Sequence, residues 1–162
     1  MRTYHAEVDA LAEALRARGA MLATAESCTG GLIAAACTER AGSSEWFERG
    51  FVTYSNAAKT EMLGVKSALI AAHGAVSAEV ACAMADGALS HSRATFAVAV
   101  TGIAGPDGAV PGKPVGTVWL AIAAEGSPAR AELLRLAGDR AAIRERTVLE
   151  ALHRLVASAR RR

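Results

Sequence analysis

Residues 95–102, TFAVAVTG, and residues 114–124, PVGTVWLAIAA, decide the fold class. Both runs are apolar almost without a break. A strand with one face in water alternates apolar and polar residues, whereas a strand covered on both faces has no need to. The two runs therefore predict the central strands of a sheet with helices on either side. Between them lies IAGPDGAVPGKP, residues 103–114, whose glycines and prolines forbid regular structure. Its place beside the central strands suits a ligand-facing loop.

Working outward, Val8, Leu11, Ala12 and Leu15 recur at i, i+3, i+4 and i+7, so residues 6–18 read as an amphipathic helix closed by Gly19. MLATA (21–25) reads as a strand that runs through ESCTGG (26–31) into LIAAAC (32–37), a strand-turn-helix with its helix starting near Thr29. GFVTYS (50–55) is rich in β-formers, and Asn56 is placed to cap a helix through Lys59 to Leu63, stopped by Gly64. Ser77 caps a further helix over 77–90. Residues 129–137 suit an edge strand, and Asp139 caps a last helix with Val148, Leu152, Leu155 and Ala159 on one face. Strands alternating with helices predict an α/β fold, a three-layer α/β/α sandwich around a mixed, largely parallel sheet, in one domain over residues 1–162.

Composition narrows the function classes. Hydrophobic residues make up 52% and charged residues 21% of the 162, which excludes a disordered chain. Thirty-nine alanines and only 4% aromatic residues call for an interior of small side chains at close approach. Eighteen basic and 16 acidic residues leave a net charge of +2, so no nucleic-acid partner is expected. No uncharged run reaches the roughly 18 residues of a membrane helix, so no membrane partner is expected either. The N-terminus, MRTYHAEVDALAEALRARG, is charged throughout and has no secretory core. A cytoplasmic protein is expected. Cys28, Cys37 and Cys82 form no CxxC pair and the histidines are scattered singly, so no metal site is expected.

Three polar clusters stand at predicted strand ends, where open α/β sheets bind their ligands. These are ESCTGG (26–31), GSS (42–44) with TYSNAAK (53–59), and TGIAGPDG (101–108). In the first, Ser27, Thr29, Gly30 and Gly31 form either an anion site at a helix N-terminus or an ordinary cap with close-approach glycines. The chain has no GxGxxG, no GxxxxGK[ST] and no GxSxG elbow, so a serine nucleophile would need another activator. Lys59 offers one: partial burial next to Tyr54 would leave some neutral amine to take a serine's proton, and Tyr54 would relay the proton or hold the amine. The other reading of Lys59 is a solvated helix residue.

With these motifs in view, TAESCTGGLIA (24–34), GSSEWFERGFVTYSNAAKTEMLGV (42–65), HGAVS (73–77), TGIAGPDG (101–108) and KPVGTVW (113–119) together resemble the CinA C-terminal domain family. That family includes stand-alone nicotinamide-nucleotide amidohydrolases. The resemblance implies hydrolysis of nicotinamide mononucleotide (NMN) to nicotinic acid mononucleotide and ammonia in pyridine nucleotide salvage, with no cofactor, by a homo-oligomer. By the same resemblance the nucleophile falls on Ser44, with Lys59 as general base and Tyr54 assisting. Thr101 and Arg140 then fall in the active site, beside Gly102, with Arg140 suited to a phosphate. Ser43 and Ser27 remain alternative nucleophiles. Relatives with a further N-terminal domain are associated with ADP-ribose pyrophosphatase activity, which is not carried over. The competing reading is a nucleotide-binding regulatory module without turnover, linked to competence or DNA damage.

Overall fold

The structure, a computed structural model, describes residues 2–161. In chain order the elements are α1 (His5–Arg18), β1 (Leu22–Glu26), α2 (Leu32–Thr38), a 3-10 turn (Ser43–Glu45), β2 (Phe47–Val52), α3 (Asn56–Leu63), α4 (Ser67–His73), α5 (Ala78–Ser90), β3 (Phe96–Gly102), β4 (Thr117–Ala124), β5 (Ser127–Arg135) and α6 (Arg140–Arg160). The strands form one mixed sheet in the order β2-β1-β3-β4-β5. β2, β1 and β3 are parallel, while β4 and β5 run antiparallel to their neighbours. Helices cover both faces, giving the expected three-layer α/β/α sandwich.

Alternation along the strands explains how the two covers differ. Leu22, Phe96, Val98, Val100, Val118 and Leu120 point to one face, where they meet α1, α2 and α6 through Leu11, Leu15, Ile33, Leu152 and Leu155. The intervening residues Ala23, Ala25, Ala97, Ala99, Ala121 and Ala123 point to the other face. This alanine floor lies against an equally small-featured α5, whose Ala81, Ala85 and Ala88 are fully buried. Gly87 lets α5 approach α3, since a Cβ there would lie 2.1 Å from the Leu63 carbonyl oxygen.

Three boundaries differ from expectation for local reasons. α2 starts at Leu32 and not near Thr29, because Gly30 and Gly31 take φ of 59° and 104°, outside the helical region. β2 covers 47–52 and not 50–55, because residues 53–55 lead into α3. The α3 cap is Ser55 and not Asn56: its hydroxyl accepts the Ala58 N–H at 3.0 Å. The short α4 was not anticipated. Among the described residues no helix is long and apolar enough to cross a membrane.

The register aligns one end of the sheet. Glu26, the last residue of β1, pairs with Val52 on one side and Val100 on the other. The chain therefore leaves β1, β2 and β3 side by side, at Ser27, Thr53 and Thr101–Gly102.

Candidate active site

Lys59 is the fourth residue of α3, and helical side chains lean toward their helix's N-terminus. Its amine accordingly folds back over the start of α3. It lies 3.1 Å from the Tyr54 carbonyl oxygen, 3.5 Å from that of Ser55, and 3.2 Å from Ser27 Oγ, which arrives from the end of β1. The residue is only 1% exposed, and among the described residues no carboxylate pairs with it. Burial pushes its pKa below the ordinary lysine value, against a smaller opposing pull from Cys28. A neutral amine has two N–H groups and one lone pair. In the structure Nζ donates to Ser27 Oγ, whose hydroxyl donates in turn to the Tyr54 carbonyl at 3.4 Å; once the amine is neutral, the two carbonyls can keep its N–H groups and its lone pair can accept from the Ser27 hydroxyl. The arrangement brings a serine hydroxyl within reach of a buried amine.

These atoms open onto a cavity of about 220 Å³, lined in part by Ser27, Tyr54, Lys59, Thr101, Gly102 and Arg140. Arg140 brings a permanent positive charge to this lining beside the Lys59 amine, and no aspartate or glutamate lines it. An anionic ligand is favoured. Larger hollows elsewhere lack this chemistry. One of about 440 Å³ is ringed by paired charges, His5 with Glu39 and Arg40 with Asp9. Another, of about 700 Å³, runs along β4, β5 and the end of α6, where Arg154 is paired with Glu132 and Glu150.

Ser44 is not brought to Lys59. It sits exposed in the 3-10 turn before β2, beside Glu45, which pairs with Arg16 of α1. Lys59 lies beyond the other end of that strand. Six strand residues at about 3.3 Å each separate the two ends by roughly 20 Å. This corrects the expected pairing of Ser44 with Lys59 within the chain: the serine in reach of Lys59 is Ser27, and Ser43 shares the remote position of Ser44.

The other expected residues divide. Tyr54 serves Lys59 through its backbone carbonyl, while the residue is 61% exposed and its hydroxyl accepts from Arg140 Nη2 at 3.3 Å. Arg140 also donates to the Gly105 carbonyl at 2.9 Å, joining the α6 start to the 103–116 loop. Thr101 Oγ1 donates to the Ala75 carbonyl at 2.9 Å, holding the wall formed by Ala75 and Val76. Gly102 leaves room for β4, since a Cβ there would lie 2.7 Å from Val118 Cγ2. Thr29 is fully buried, and its hydroxyl donates to Glu26 Oε1 at 2.6 Å. Thr29, Gly30 and Gly31 shape the turn and do not line the cavity. Cys28 does line it, but burial pushes its thiol up to about 12, which leaves little thiolate.

Two contributors were missed as individuals. The buried Glu26 carboxylate also accepts the N–H groups of Ile33 at 2.8 Å and Ala34 at 3.0 Å, capping α2. Its position seven residues ahead of that N–H is beyond any local cap pattern. Arg144, one turn after Arg140, donates to the carbonyls of Cys28 and Thr29. The i, i+4 spacing of two arginines at the start of α6 was the available signal.

Comparison with known proteins places the chain. The model of the CinA C-terminal domain matches residues 5–159. The chain belongs to the CinA C-terminal domain family. Within that family it is similar to the nicotinamide-nucleotide amidohydrolase PncC of Escherichia coli K12, with 53% identity over 143 residues, 88% of this chain and 87% of that protein. The PncC of Pseudomonas putida is 56% identical over 90% of this chain and 91% of its own length. A CinA-like protein of Mycolicibacterium vanbaalenii is 55% identical, but the match spans 34% of that longer protein. Among solved structures, the competence/damage inducible protein CihA of Agrobacterium tumefaciens superposes with a TM-score of 0.88 at 49% identity, covering 97% of this chain and 98% of that one. A CinA superfamily protein of Klebsiella pneumoniae gives 0.93 at 37% identity and 98% coverage of each chain. The chain is a hydrolase of this family.

Proposed function

We propose that the chain hydrolyses the carboxamide of nicotinamide mononucleotide to nicotinic acid mononucleotide and ammonia, with Ser27 as nucleophile and Lys59 as its base, serving salvage of pyridine nucleotides. The observation that carries this reading is the 3.2 Å approach of the buried Lys59 amine to Ser27 Oγ. The substrate is suggested by the PncC relatives and suits a cavity that presents the Arg140 guanidinium and no carboxylate.

Ser27 Oγ attacks the carboxamide carbon as its proton passes to Lys59 Nζ. The resulting ammonium gives that proton to the departing nitrogen, which leaves as ammonia, and an acyl ester remains on Ser27. Water then attacks the ester, losing a proton to Lys59, which returns it to Ser27 Oγ as the acid is released. One amine thus acts as base and then acid in each half. Arg140, with a planar guanidinium at the cavity's edge, is the residue for the phosphate.

The test is release of ammonia and acid from NMN by the purified protein without added metal. Ser27→Ala and Lys59→Ala are expected to abolish turnover, and Ser44→Ala to leave it unchanged. Normal turnover by Ser27→Ala would refute the assignment. Tight NMN binding without turnover by the wild-type protein would favour the regulatory reading instead.

A further inference from the structure

Arg144 is half-buried on α6 and, among the described residues, makes no ion pair. A guanidinium without a carboxylate is spent on two backbone carbonyls of a segment more than a hundred residues away. Nε donates to the Cys28 oxygen at 3.2 Å and Nη2 to the Thr29 oxygen at 3.3 Å. Both carbonyls belong to the turn that begins with Ser27.

We propose that Arg144 is a positioning residue for Ser27: it pins the 27–31 turn from outside, so that the hydroxyl stays at Lys59 and the turn's N–H groups keep one direction. The proposal rests on the reading of Ser27 as nucleophile. In a trans peptide the carbonyl and the N–H point opposite ways, so fixing one fixes the other. Fixing the Thr29 carbonyl orients the Gly30 N–H, which donates to the Ser27 carbonyl at 3.1 Å. Fixing the Cys28 carbonyl orients the Thr29 N–H. That N–H has no protein acceptor among the described residues, although Thr29 is fully buried. Buried N–H groups are rarely left unpaired. With no acceptor to hold it, the direction of this N–H is set through the carbonyl that Arg144 holds.

Arg144 does this work in one geometry. The fork reaches two carbonyls at once, which a lysine ammonium on a flexible stem does not reproduce. Gly30 sits beneath the fork, since a Cβ there would lie 3.5 Å from Arg144 Nη2. Arg140, one turn earlier, is committed to Gly105 and Tyr54 and leaves the 27–31 turn to Arg144.

The test is steady-state kinetics of NMN hydrolysis by Arg144→Met, Arg144→Gln and Arg144→Lys beside Ser27→Ala. Loosening the turn is expected to lower kcat about 10- to 100-fold in the Met and Gln variants, as misplaced reacting groups do, with KM little changed. Arg144→Lys should recover part of the loss, because it returns the charge without the fork. Wild-type kcat in Arg144→Gln, or a loss confined to KM, overturns the proposal, and the Gln variant carries the test if the Met variant fails to fold. An active Ser27→Ala would instead sink the nucleophile reading, whatever the arginine variants do.

Discussion

Replacing Glu26 by alanine tests whether the turn bearing Ser27 is held from inside by a carboxylate. Three donors converge on this buried group: the Thr29 hydroxyl at 2.6 Å, the Ile33 N–H at 2.8 Å and the Ala34 N–H at 3.0 Å. The side chain is 1% exposed, so water does not already serve these donors. A buried donor left without a partner costs about 1–3 kcal/mol. Three such losses, eased by water entering the space vacated, predict a destabilisation of about 4 kcal/mol. Glu26→Gln keeps one oxygen for two of the donors but sets an NH₂ against the third, for a loss of about 1–2 kcal/mol. At about 2–4 °C per kcal/mol for a chain of this size, the Ala variant should melt roughly 8–16 °C lower. Urea denaturation followed by circular dichroism measures both variants. An Ala variant within 1 kcal/mol of wild type, or a Gln variant as damaged as Ala, would refute the reasoning.

The pH profile reports the base. Lys59 must be neutral to accept the serine proton, so kcat/KM should rise with pH as the ammonium is lost, with a midpoint below the ordinary lysine value of 10.5 because burial disfavours the charge. A profile flat from pH 6 to 10 would count against Lys59. Gly87→Ala sets two magnitudes against each other. Helix propensity alone would stabilise by about 1 kcal/mol. The added Cβ, however, would meet the Leu63 carbonyl oxygen at 2.1 Å, so α3 must shift, at a cost of about 1–3 kcal/mol. Net destabilisation with reduced kcat is expected, since α3 carries Lys59, and a variant more stable than wild type would show that α3 and α5 have slack.

Much of the fold follows from sequence alone. Two unbroken apolar runs announced strands covered on both faces, and these are β3 and β4, paired at the middle of the sheet. Capping chemistry located α5 at Ser77 and α6 at Asp139, whose side chains do accept the N–H groups of Val80 and Ala142. The motifs placed the chain in its family, and singled out Lys59 among only three lysines. Such features are local: a run, a cap or a motif is written in consecutive residues.

The choice of serine was not local. Ser44 is nearer to Lys59 along the chain than Ser27 is, and both lie in the connection between β1 and β2, Ser27 just after β1 and Ser44 just before β2; sequence does not say which of those strand ends faces α3. Parallel pairing of those strands decides it, because it puts the start of β2 at one end of the sheet and the exits of β1 and β2 at the other. Arg144 and Glu26 became visible for the same reason. A hydrogen bond between residues 116 apart, or from an N–H to a carboxylate seven residues earlier, has no period in sequence and exists only once the helices are laid on the sheet. The amino-acid order determined the layers and the chemical groups; their meeting at one end of the sheet was decided by strand register, which fixes distances that chain separation does not.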